Sequence, residues 1–189
     1  MFFVRWLPTF LGFPVGGWLA VQTFGSANGP ITAALAGLMA GAVIGTAQWL
    51  ALRSRGVGPR WVIHTAVGVT AGSAIAAVLT GAATTVSALA FTGLLTGAAV
   101  GATQATMLGR SNRIAAAWIA LVSISWTLGW LITASVIVDA ERGYITFGVS
   151  GALLVTVATG LALRWVLAVG RDGEPVGTPR SRPVAAVRR

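Results

Sequence analysis

The chain has 189 residues, of which 56% are hydrophobic and only 9% charged, with a mean hydropathy of +0.82. A water-soluble domain carries about 25% charged residues, so this composition argues against a soluble globule and makes the lipid bilayer the expected partner. All 13 basic residues are arginine, against four acids, for a net charge of +9, and the lack of cysteine excludes disulfides, thiolate metal sites and cysteine nucleophiles.

A membrane-spanning helix needs about 20 mostly apolar residues. Six stretches meet that length: residues 6–25, 31–52, 61–80, 86–108, 115–138 and 145–169. The first ends at Ser26, Asn28, Gly29 and Pro30, a turn-forming group whose proline can open the next helix. The second ends at Arg53, Arg55, Gly56, Gly58, Pro59 and Arg60, whereas the third gap, Gly81 to Thr85, is short and weakly marked. Arg110, Ser111, Asn112 and Arg113 fill the fourth gap; Asp139, Glu141, Arg142 and Gly143 fill the fifth.

Orientation follows from the arginines. Arg5, the Arg53/Arg55/Arg60 group, the Arg110/Arg113 pair and Arg164/Arg171 alternate onto one side, while the other side receives Arg142 alone. The positive-inside rule then places both termini in the cytoplasm of a bacterial inner (plasma) membrane protein. Because topology accounts for the arginines, no nucleic-acid partner is expected. Residues 171–189 carry Pro175, Pro179 and Pro183 among arginines and read as a disordered cytoplasmic tail.

Spacing then suggests a repeat. Gly37, Gly41, Gly45, Gln48 and Leu52 recur 56 residues later as Gly93, Gly97, Gly101, Gln104 and Leu108. The same frame returns in weaker form as Gly148, Ala152, Thr156, Thr159 and Leu163. Trp6 with Gly17, Trp61 with Gly72, and Trp118 with Gly129 share a separation of 11. The expected fold is therefore an all-α membrane protein with six transmembrane helices. These would form three tandem hairpins, about 1–53, 54–109 and 110–170, in one transmembrane domain over 1–170. Hairpins inserted in the same sense imply pseudo-threefold symmetry about the membrane normal. Arg5, an apolar run and Gly25-Ser26-Ala27 also fit a cleavable signal peptide, but cleavage would delete half of one repeat.

Among candidate functional residues, the glycines come first. Four-residue spacing puts Gly37, Gly41 and Gly45 on one helix face and Gly93, Gly97 and Gly101 on another, where a neighbouring backbone can approach closely. Gly12/Gly16 and Gly68/Gly72 are shorter versions of the same pattern. Gln48, Gln104, Thr159 and the single histidine, His64, form the candidate polar cluster near the cytoplasmic ends. The amides are read as interhelical hydrogen-bonding groups or as a polar ring at the mouth of a central cavity. His64 is read as a hydrogen-bonding partner of a glutamine or a backbone carbonyl, with proton sensing or transport gating as the alternative. Trp6, Trp49, Trp61, Trp118 and Trp165 are expected at the headgroup level, where indole is favoured. Trp126 and Trp130 lie deeper, with Ser123, Ser125 and Thr127 nearby; packing is the expected role, and lining a binding cavity is the alternative.

No HExxH, Walker, GxSxG or dinucleotide motif occurs, and no acid lies within a span. Catalytic, metal and cofactor-binding residues are therefore expected to be none, and an enzyme is the least favoured reading. Residues Gly41 to Arg53, with Gly45, Gln48, Trp49, Leu50, Leu52 and Arg53 in place, resemble the recurring GxxxGxxQWLxLR-type helix of a loose group of uncharacterised small multispanning bacterial membrane proteins. That resemblance implies a multispanning architecture and carries no activity. The expected role is structural or partner-binding, with another membrane protein or a second copy as partner. The alternative is a channel or facilitator for a small, largely uncharged solute.

Overall fold

The computed structural model describes residues 2–136, 146 and 148–169. The loop residues Asp139, Glu141 and Arg142 and the tail 171–189 lie outside the described residues. Every regular element described is helical. α1 (Phe2–Trp6) runs through a 3₁₀ stretch (Leu7–Leu11) into α2 (Gly12–Phe24). It is followed by α3 (Pro30–Leu52), α4 (Arg60–Thr80), α5 (Val86–Leu108), α6 (Asn112–Val136) and α7 (Val149–Val169).

Local chemistry explains the ends. Gly29 caps α3, with Pro30 in the first turn, where its missing N–H costs nothing, and with the Gly29 N–H donating to Thr32 Oγ1 at 3.1 Å. The Thr85 hydroxyl caps α5 by accepting from the Ala88 N–H at 3.3 Å. Gly56 follows α3 and its short 3₁₀ extension, and Gly109 follows α5; both adopt left-handed backbone at φ of +84° and +56°, which glycine accepts without Cβ strain.

The five helices α3 to α7 are each long and apolar enough to cross a membrane. The first segment is not among them, which corrects the expected uninterrupted span over 6–25. Pro8 and Pro14 are the reason. A proline ring removes one helical hydrogen bond and crowds the carbonyl four residues earlier. The backbone around Pro8 and ahead of Pro14 therefore tightens to 3₁₀ over Leu7–Leu11, leaving α2 only 13 residues long. The expected spans over 115–138 and 145–169 overlap the described helices Asn112–Val136 and Val149–Val169; residues 137, 138, 145 and 147 lie outside the described residues.

Each helix packs against its neighbours in sequence, and α7 returns to contact α1, the 3₁₀ stretch and α2. The six helical segments thus close a ring whose centre is filled by side chains. Backbones approach closely at small residues. A Cβ added at Gly41 would stand 2.7 Å from Ala66 Cα, and one at Gly97 would stand 2.7 Å from Ser123 Cα. Gly45 meets Val62 Cα at 2.9 Å, and Gly101 meets Ile119 Cα at 2.8 Å. The α3–α4 and α5–α6 contacts therefore use positions 56 residues apart on one side and 57 on the other.

The 3₁₀ stretch has a geometric consequence. Gly12 faces Ile44 as Gly68 faces Val100, and Gly16 faces Ala40 as Gly72 faces Thr96. Gly16, not Gly17, is thus the counterpart of Gly72, while Gly17 lies against Thr146. Trp6 precedes Gly12 by one residue fewer than Trp61 precedes Gly68. Five residues at about 120° each, in place of about 100°, regain roughly the rotation of that missing residue. One alanine inserted within Leu7–Leu11 should therefore be absorbed by a return to α geometry, at under about 1 kcal/mol. The same insertion between His64 and Gly68 should turn the Trp61 turn of α4 out of register by about 100° and lower the thermal midpoint markedly. Thermal unfolding of both variants in detergent checks this ordering, and equal losses would refute it.

Candidate functional site: a polar cluster at the centre of the ring

Gln48 on α3 and Gln104 on α5 sit on helices that are not neighbours in the ring, yet their amides meet across its centre. Gln104 Nε2 donates to Gln48 Oε1 at 3.2 Å and to Thr65 Oγ1 at 3.0 Å. Gln48 Oε1 also accepts from Trp61 Nε1 at 3.0 Å, and the Thr65 hydroxyl donates to the Trp61 carbonyl at 2.9 Å. Burial is nearly complete, with Gln48 7% and Gln104 2% exposed. An amide in this setting must find partners inside the protein, and each interhelical bond contributes about 0.6 kcal/mol on average in membrane proteins.

The third frame is built differently. Trp6 Nε1 donates to the Thr156 carbonyl at 2.7 Å, and Thr159 turns its hydroxyl back to the Val155 carbonyl at 2.6 Å. Gly160 admits the Trp6 ring edge where a side chain would collide with it. An indole therefore fills the α7 interface, where α4 and α6 meet their partner helices through backbone.

Between these groups lies a cavity of about 10 Å³. Its polar wall is formed by Gln48, Gln104 and Thr159, and its apolar wall by Val100, Val122 and Val155. Trp6, Trp118 and Trp126 close it. Of the four residues in the candidate polar cluster, the structure thus brings Gln48, Gln104 and Thr159 to one cavity. His64 is not among the lining residues and is only half-buried on α4. Thr65, one residue on, takes the inward position instead.

Three tryptophans require a correction. Trp6, Trp61 and Trp118 are 1%, 0% and 3% exposed, so their rings lie in the core and not among lipid headgroups. Trp165, at 56% exposed, does face outward. Trp126 packs edge-on against Phe13 with ring centroids 5.6 Å apart, so the two rings meet across the ring from α2 and α6. The partners missed in the sequence are Trp61 and Thr65. Their signal was present: Trp61 follows Gln48 across one short turn, which returns it to the same depth.

Chemically, the cluster consists of amides, indoles and hydroxyls, none of which titrates near neutral pH. It can orient and satisfy neutral polar groups. Among the described residues, no three of His, Cys, Asp and Glu come together as a metal set. Two further spaces share no lining residue with this cavity. One, of about 40 Å³, includes Ser73, Thr92 and Trp130; the other, an outward groove of about 300 Å³, includes Arg5, Thr9 and Leu50. No family model, curated protein or solved structure matches the chain.

Proposed function

We propose that the chain is a six-span integral protein of the bacterial inner membrane with a structural or partner-binding role, either as an accessory subunit or through self-association. Its membrane character rests on the five apolar helices of spanning length. The sixth crossing is assigned to Phe2–Phe24. With 18 α-helical and five 3₁₀ residues, that segment rises roughly 37 Å, against a hydrocarbon thickness of about 30 Å. The threefold hairpin arrangement is supported by the ring closure and by the glycine contacts that recur at the repeat offset.

The observation that carries the role is the closed centre. A passage for even a small neutral solute must be wider than a 10 Å³ cavity walled by three indoles and three valines. This favours a packed scaffold over the channel alternative. With the small-residue faces used between helices inside the chain, the outward side chains remain for lipid and partners. Exposed arginines at the cytoplasmic side would add about 1 kcal/mol each through anionic headgroups.

Three measurements test the proposal. Proteoliposomes should take up glycerol or urea no faster than protein-free vesicles, and uptake well above that baseline would replace the scaffold reading with a facilitator. Mild-detergent extraction of native membranes should then recover the chain with a stoichiometric partner or a second copy. Reporters fused to the N-terminus and to the C-terminus should lie on the same side of the membrane; opposite sides would remove the six-span topology.

A further inference from the structure

We propose that the central cavity is a binding site for one water molecule, which completes the hydrogen bonding of the polar cluster. The inference does not depend on the role proposed above. Trp118 Nε1 is the anchor. It is a buried atom of a residue that lines the cavity and is 3% exposed, and it has no hydrogen-bond partner in the protein. Its counterpart Trp61, one repeat earlier, donates to Gln48 at 3.0 Å. A buried donor left without an acceptor is strongly disfavoured in a low-dielectric interior.

The remaining groups complement water in number and kind. Gln48 uses Oε1 twice as an acceptor, and Gln104 uses Nε2 twice as a donor. Among the described residues this leaves Gln48 Nε2 as a donor and Gln104 Oε1 as an acceptor without protein partners. Thr159 Oγ1 sends its proton to Val155, so its lone pairs can still accept. Two donors, Trp118 Nε1 and Gln48 Nε2, thus match the two lone pairs of a water. Two acceptors, Gln104 Oε1 and Thr159 Oγ1, match its two protons. Size agrees as well. A cavity of about 10 Å³ is room enough for one ordered water. Val100, Val122 and Val155 wall off the remaining directions.

The test uses the full chain in lipid nanodiscs with ¹⁵N-labelled tryptophan, the Trp118→Phe variant serving only to assign the Trp118 indole resonance. Water-selective cross-relaxation should give a direct water peak at the Trp118 indole proton. None should appear at the Trp61 indole proton, which already donates to Gln48 and does not line the cavity. Absence of the Trp118 peak, as expected if Trp118 bonds Gln104 Oε1 directly, overturns the proposal. Val155→Ile adds one carbon at the cavity wall and should abolish the Trp118 water peak while the Trp61 resonance keeps its shift. A peak that survives in this variant places the water elsewhere and also overturns it. The wild-type measurement decides by itself if Val155→Ile does not fold.

Discussion

Gly97→Leu is expected to lower the thermal unfolding midpoint in detergent by roughly 6–12 °C, through an overpacking cost of about 3 kcal/mol. The first added carbon would stand 2.7 Å from Ser123 Cα, 2.8 Å from the Val122 carbonyl oxygen and 2.9 Å from Trp126 Cβ. Two of these atoms are backbone and cannot rotate away. α5 and α6 would have to separate along their whole contact, releasing dispersion contacts well beyond the substituted site. Gly41→Leu should behave alike, because its added carbon meets Ala66 Cα at 2.7 Å and Val69 Cβ at 3.0 Å. Gly58→Ala is the control: nothing lies within 4 Å of its added carbon, and the change should stay within about 0.5 kcal/mol. Thermal scans of the three variants measure this. An unchanged midpoint for both leucine variants would show that the faces are looser than these distances require.

Gln48→Leu is expected to cost about 2–4 kcal/mol, clearly more than Gln104→Leu, although both remove one buried amide. The asymmetry lies in what is left behind. Gln48 Oε1 is the acceptor for both Trp61 Nε1 and Gln104 Nε2. Its loss strands the Trp61 N–H on a fully buried indole and removes one of the two acceptors of Gln104 Nε2. Gln104→Leu takes away donors and leaves Gln48 Oε1 with its Trp61 bond and the Thr65 hydroxyl with its bond to the Trp61 carbonyl. A carbonyl oxygen that loses one of two bonds is far less penalised than an N–H that loses its only one, so the second variant should cost about 1 kcal/mol. Equilibrium unfolding of both single variants and the double variant measures the ordering and the coupling. Equal or reversed costs would mean that Gln48 is not the acceptor at the centre of the cluster.

These expectations show where sequence reading stops. The helical, apolar character was legible, because run length and the near absence of charge act on every residue at once and survive errors of detail. The turns were legible too: Gly29-Pro30 and Gly56 carry local backbone chemistry that needs no partner. Pro8 and Pro14 were visible, but hydropathy averages over them, so the 3₁₀ stretch was read through. Trp61 and Trp118 were misplaced for a different reason. An indole near a helix end is equally at home at a headgroup or in a core, and only the neighbouring helix decides between them. His64 and Thr65 are adjacent in sequence, and the rotation of α4 selects which of them points inward.

From the amino-acid order alone, the chain was committed to helices that bury their backbone polar groups internally and to short polar turns between them, since hydrocarbon offers those groups no other partner. The 56-residue spacing marked Gln48 and Gln104 as similar positions without implying that they touch. Their contact came only with ring closure, which brought non-neighbouring helices to a common centre and made one amide oxygen serve two donors. Pairing at that distance in sequence depends on which faces every other helix has already occupied, and no local pattern encodes it.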